Sequence, residues 1–195
     1  MKRILKNKNS EILQKALKYS KGKKDRDEIR KILIKEQGGY CAYTEIFCND
    51  ADYTVHIEHF KAKSNFPELR DDYYNWFATS GIWNQKKKDK KYLKILKDEE
   101  ILTPIDSDLE DRVIYNADFH IFYAQQDDIK ADNIIKFLNL NDFDLVNDRK
   151  NYIERRKLDM KDFNVTIGEL LKNRKDKLKF SRAMKACIPN FNDKS

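Results

Sequence analysis

The chain has 195 residues, 40% of them hydrophobic and 37% charged, with Lys+Arg 40 against Asp+Glu 33 and a formal net charge of +7. That apolar share supports one real core, while the charge and a mean hydropathy of −0.85 exclude a membrane-embedded protein. Five glycines and three prolines exclude a collagen-like chain or a Pro-rich linker protein, and 12% aromatics argue against disorder.

In chain order, Ser10 is an N-cap candidate for a helix over residues 10–19, with Ile12, Leu13, Ala16 and Leu17 on one face. A second amphipathic helix is predicted over 25–37, capped by Asp25 with Glu28 three residues on, striped by Ile29, Ile32 and Leu33, and stopped by Gly38-Gly39. This basic front reads as scaffold. Residues 40–47 and 53–59 are rich in aromatic and β-branched residues around a breaking Asn49-Asp50-Ala51-Asp52 segment, and together they read as a β-hairpin. After a loop with Ser64, Asn65 and Pro67, residues 82–97 read as a strongly basic helix. Val113-Ile114-Tyr115 and Ile121-Phe122-Tyr123 suggest a second hairpin. Helices are predicted over 131–138, 143–160 and 167–187, the last with a Thr166–Glu169 capping box. The expected fold class is α+β, one domain, with residues 1–39 a helical front, 40–97 the core and 98–195 a mainly helical wrapper.

Charge is segregated along the chain. Residues 1–35 carry thirteen basic and four acidic side chains, 98–128 one basic and ten acidic, and 149–182 twelve basic and five acidic. Basic stretches of this kind attract phosphate, and they also occur as plain solvated faces. Cys41, Cys48 and Cys187 are too few and odd in number for a disulfide framework, and residues 1–6 lack the apolar run of a signal peptide, so a cytoplasmic setting is expected.

The chemistry concentrates in Val55-His56-Ile57-Glu58-His59-Phe60-Lys61-Ala62-Lys63-Ser64. A neutral imidazole can take a proton from water near neutral pH. A carboxylate and an amide oxygen are hard donors suited to Mg²⁺ or Mn²⁺. Glu58 and His59, adjacent at a strand end, point different ways, so one can face a metal and the other a water. Asn75 and Asn84 follow, the second on the basic helix. Lys61, Lys63, Lys86, Lys87, Lys88 and Lys90 are candidate contacts to a phosphate backbone. His56 shares the strand face of Glu58 and reads as a satisfied hairpin histidine, His120 as structural, and Tyr73, Tyr74 and Trp76 as core.

This arrangement resembles the HNH, or ββα-metal, nuclease family. Glu58-His59 matches its acid–His pair, Asn75 its central Asn, and Asn84, nine residues later in Asn84-Gln85-Lys86-Lys87-Lys88-Asp89, its final His/Asn. The resemblance implies His59 as general base, Glu58 and Asn84 as ligands of Mg²⁺ or Mn²⁺, and Asn75 as the residue that orients His59 and braces the loop. With Cys41-Ala42-Tyr43, Glu58 through Ser64, and Phe137-Leu138-Asn139-Leu140-Asn141 through Arg149, the chain is similar over roughly residues 36–156 to small bacterial HNH proteins. These include the nuclease of the Septu anti-phage system and HNH proteins encoded beside retrons, which work with an ABC/SMC-like ATPase. The implied function is endonucleolytic cleavage, of DNA before RNA, in phage defence. A catalytically inactive nucleic-acid-binding subunit and a ribonuclease toxin are the alternatives.

One departure concerns zinc. Many HNH cores hold a structural zinc with two Cys-x-x-Cys pairs. The corresponding positions here are Cys41, Thr44, Ser80 and Trp83, and Cys48 is offset in spacing. No structural zinc is expected.

Overall fold

Ser10 caps a shorter helix than the apolar spacing suggests. Its hydroxyl accepts the Ile12 N–H, and α1 spans only Glu11–Gln14. Ala16 then adopts a left-handed φ of 46°, and the Ala16 and Leu17 N–H groups return to the Leu13 and Ile12 carbonyls, which closes the helix. A 3-10 turn at Tyr19–Lys21 leads into α2, Lys23–Glu36. Asp25 does not cap α2. Gly22 stands at the N-cap, and the Asp25 carboxylate accepts the Lys18 N–H from within the first turn. Gly38-Gly39 ends the helix as expected, at φ +65° and +85°, with N–H groups turned back on Lys35 and Ile34. A Cβ on Gly39 would stand 2.5 Å from the Phe47 ring, so space as well as conformation selects glycine there.

The computed structural model describes residues 1–48, 55–81, 89–169 and 179–188. Residues 40–47 do not form the expected strand. One antiparallel bridge, Tyr40 with Phe47, closes a tight loop in which the Cys41 N–H reaches the Ile46 carbonyl and the Cys48 N–H the Gly39 carbonyl. Strand β1, Val55–His59, pairs instead with β2, Trp76–Ser80, which the sequence reading missed. The register sets Glu58 opposite Phe77 and His59 opposite Trp76. β2 is covered on both faces from Trp76 to Thr79, so it lacks the alternation that marks a half-exposed strand. The expected basic helix is described as α3, Asp89–Lys97.

A short α4, Leu109–Arg112, precedes the second hairpin, β3 Val113–Asn116 and β4 Ile121–Ala124. Helix α5, Ile129–Phe137, is capped by Asp128, which also takes the Arg112 guanidinium at 2.6 and 2.8 Å. Helix α6, Phe143–Asp162, is capped by Asp142. The Thr166–Glu169 capping box forms, with the Thr166 N–H and hydroxyl both 2.8 Å from the Glu169 carboxylate. The single helix expected through 187 is nevertheless interrupted. Phe180 has a left-handed φ of 54°, and α7 starts afresh at Ser181–Cys187. Its cap comes from elsewhere in the chain: the Glu45 carboxylate accepts the Ser181 hydroxyl and the Arg182 N–H.

The result is a mixed α+β fold with two small antiparallel sheets. One buried cluster runs through Ile29, Leu33, Tyr43, Trp76, Phe77, Leu96, Ile134 and Phe137. A second, around Leu145, Ile153, Phe180 and Met184, joins it at Tyr115. The basic 149–182 stretch is partly internal. Arg149 is buried and donates to the Leu140 carbonyl, Arg156 pairs with Asp159, and Arg182 donates to the Met1, Glu110 and Val113 carbonyls. Among the described residues no helix is long and apolar enough to cross a membrane.

Lys6 fastens the N-terminal arm to the turn that leads into β2. Its ammonium donates to the Tyr73 carbonyl at 3.0 Å and to the Trp76 carbonyl, between the Tyr73 and Phe77 rings at 4.3 and 4.5 Å. Burial pushes its pKa down to about 7, against the opposing pull of Glu36 and Asp72. Between that value and the ordinary lysine pKa the unfolded chain binds the proton and the folded one does not, so this group makes stability rise with pH from about 7 to 10. A Lys6→Met variant is expected to lose that rise in denaturant melts across this window. An unchanged pH slope would remove Lys6 as its source.

Candidate active site

Glu58 and His59 close β1, and both are buried. They border a cleft of about 460 Å³ whose other walls include Tyr19, Arg26, Asp27, Arg30, His56, Lys63 and Ser64. The strand ends at His59, as the sequence reading required for the two side chains to diverge.

The imidazole is held on three sides. His59 Nε2 lies 2.9 Å from the Arg70 carbonyl. The Trp76 indole N–H lies 3.0 Å from that same carbonyl and 3.1 Å from Nε2. An unprotonated Nε2 would accept the indole N–H, and it would face the Arg70 carbonyl at 2.9 Å with no proton of its own to give. With the proton on Nε2 the ring donates to the Arg70 carbonyl, and the indole donates to that carbonyl's second lone pair. In the neutral ring Nδ1 is then the basic nitrogen. Tyr19 packs edge-on against the ring, with centroids 4.7 Å apart at 86°.

Asn75 braces the loop between the strands. Its Oδ1 accepts the Lys61 N–H at 2.8 Å, and its Nδ2 donates to the Lys61 and Leu69 carbonyls at 2.9 and 3.3 Å. Both ends of the 60–75 loop are tied by one amide. Leu69 directly precedes Arg70, so the same amide braces the segment whose carbonyl lies 2.9 Å from His59 Nε2.

The candidate lysines separate. Lys63 lines the cleft and donates to the Tyr19 hydroxyl at 3.3 Å. Lys61 turns to Glu99 at 3.2 Å and the Phe66 ring, off the cleft wall. Asn84, Lys86, Lys87 and Lys88 lie outside the described residues, and Lys90 falls in the first turn of α3. His56 is exposed and borders the cleft, opposite Thr79. His120 sits in the β3–β4 turn with Nδ1 2.8 Å from the Tyr115 hydroxyl, and burial holds its pKa low. Tyr73 and Trp76 are buried as expected, whereas Tyr74 is exposed.

Tyr19, Arg26 and Arg30 were missed by the sequence reading, which took the front of the chain as scaffold. The four-residue step from Arg26 to Arg30 put both on one flank of α2, but nothing local said that this flank meets β1.

Cys48 has a role that its spacing did not suggest. Its spacing set it apart from Cys41, yet the closed 40–48 loop brings its thiol into a hydrogen bond with the Cys41 sulfur. Burial raises the Cys41 pKa, but donors from Cys48, Thr44 and the Ser80 and Tyr43 N–H groups outweigh it and hold it at about 6. Among the described residues no group of three or more His, Cys, Asp or Glu gathers to hold a metal. A thiolate absorbance near neutral pH is expected that titrates around pH 6 and vanishes in Cys41→Ser. Because the folded thiol ionises below its ordinary value, this group also adds stability as pH rises from about 6 to 9. Absorbance that appears only above about pH 8, where an ordinary thiol ionises, would refute the donor cradle.

No protein-family model matches the chain, and no curated protein matches it in sequence.

Proposed function

We propose that the protein is a metal-dependent endonuclease of the HNH type that hydrolyses phosphodiester bonds, with DNA the favoured substrate. The observation that carries this reading is the held imidazole: His59 Nε2 lies 2.9 Å from the Arg70 carbonyl, and the residue borders a cleft shared with Glu58 and three cations. The family resemblance of Glu58-His59, Asn75 and Asn84 supports the same assignment.

Mg²⁺ keeps several waters and binds through one or two carboxylates together with substrate phosphate oxygens. Glu58, a buried carboxylate on the cleft wall, fits that requirement, and Asn84 would add an amide oxygen. When bound, the ion offsets charge on the scissile phosphate and the leaving oxygen. His59 Nδ1 accepts the proton of the attacking water. The Arg70 carbonyl stabilises the imidazolium that results, and Tyr19 and Trp76 fix the ring plane so that the basic nitrogen need not be reoriented at each turnover. The resemblance to the small HNH proteins extends the proposal to an effector of phage defence controlled by an ABC/SMC-like ATPase.

The test is plasmid nicking by the purified chain with Mg²⁺ or Mn²⁺, alone and with an ATPase encoded beside it. Conversion of supercoiled to nicked or linear DNA that stops with chelator is expected. Intact plasmid with either metal, with and without the ATPase, overturns the reading.

A further inference from the structure

Two cations from separate parts of the chain meet on one aromatic ring at the mouth of the cleft. The Arg26 guanidinium of α2 lies 5.3 Å from the Tyr19 ring centroid, and the Lys63 ammonium lies 4.8 Å from it while donating to the Tyr19 hydroxyl. Two acids line the same cleft: Asp27, engaged by Arg30 at 3.0 Å, and the buried Glu58 at the end of β1. Among the described residues neither Arg26 nor Lys63 has an ion-pair partner. Tyr19 is itself fixed: the adjacent Ser20 N–H and hydroxyl bond the Asp71 carboxylate at 2.9 and 2.5 Å, which ties this turn to the loop that carries Arg70.

Like charges gathered at one ring, here a half-buried Arg26 and an exposed Lys63, repel each other unless an anion is bound between them. Cation–π contact lowers that cost but does not cancel it. Among the described residues no carboxylate forms an ion pair with either cation, and both line the same cleft as His59. The ring that gathers the two cations also touches the imidazole edge-on.

We propose that Tyr19, Arg26 and Lys63 form a seat for a backbone phosphate of the nucleic-acid strand, flanking the phosphate presented to His59. The inference rests on the nuclease reading for the identity of the strand. It adds a second phosphate position, built by the N-terminal helical front together with Lys63 of the 60–75 loop and not by the lysine-rich helix. Arginine suits the role because its fork can grip two phosphate oxygens, and lysine adds a point charge.

The experiment measures binding of a short DNA duplex with phosphorothioate linkages, in Mg²⁺, over a series of salt concentrations. Arg26→Gln with Lys63→Gln is compared with wild type and with Lys24→Gln plus Lys31→Gln, which neutralises two exposed lysines of the same helix that do not border the cleft. The Arg26/Lys63 variant should bind on the order of 100-fold more weakly at low salt, from the usual strength of charge-assisted contacts. Its log–log salt slope should flatten by about 0.9 for each phosphate that is no longer neutralised. The control pair should change both far less. Wild-type affinity and slope in the Arg26/Lys63 variant, an equal loss in the control pair, or no binding by wild type would overturn the seat. A protein that binds with this pattern yet cuts no plasmid keeps the seat and loses the nuclease assignment.

Discussion

His59→Ala should lower plasmid cleavage by about 10²–10⁴-fold, the usual cost of losing a positioned general base. The substitution should leave the fold in place. The Arg70 carbonyl keeps its bond from the Trp76 indole, so no buried acceptor is stranded when the imidazole goes. The salt dependence of DNA binding should also stay as in wild type, because a neutral imidazole aimed at water releases no counterion. Rates measured at saturating DNA, together with a thermal melt, separate chemistry from folding. Cleavage equal to wild type would take His59 out of the mechanism, and with it the meaning of the Arg70 and Trp76 contacts.

Phe137→Ala should destabilise the protein by about 3–5 kcal/mol, the range for a fully buried aromatic cut back to a methyl. Phe137 is completely buried at the end of α5, edge-on to Phe60 at 5.3 Å and tilted against Tyr92 of α3 at 5.8 Å. Phe60 directly follows His59, and its N–H bonds the Asn75 carbonyl. The cavity would therefore open behind the strand end that holds the candidate base. Urea melts should show the loss, and cleavage should fall further than the unfolded fraction explains. Phe137→Leu, which refills much of the volume, should recover most of both. A loss under about 1 kcal/mol in Phe137→Ala would mean that the acidic second half does not support the site through this contact.

Much of the local structure was readable from residue order. Ser10, Gly38-Gly39 and the Thr166–Glu169 pair act at helix ends as their chemistry dictates, because capping is settled within about one helical turn of sequence. The second hairpin carries its own alternation, and Glu58-His59 does end a strand. The α+β class followed from the same local signals.

Strand pairing was decided elsewhere. Residues 40–47 have strand-like composition but close into a loop, and β1 instead reaches across the 60–75 loop to Trp76–Ser80, whose burial on both faces erases the period-2 pattern. Long-range burial outweighs local propensity here, with Trp76 and Phe77 almost completely buried in the core. The same holds for side chains that meet only in space. Cys48 reaches Cys41, Glu45 caps α7, and Arg26 of α2 meets Lys63 on the Tyr19 ring. No spacing rule encodes such contacts, because each depends on where two separately formed elements are packed. The sequence thus named Glu58 and His59 as candidates, and tertiary packing decided which groups hold the imidazole and which cations share its cleft.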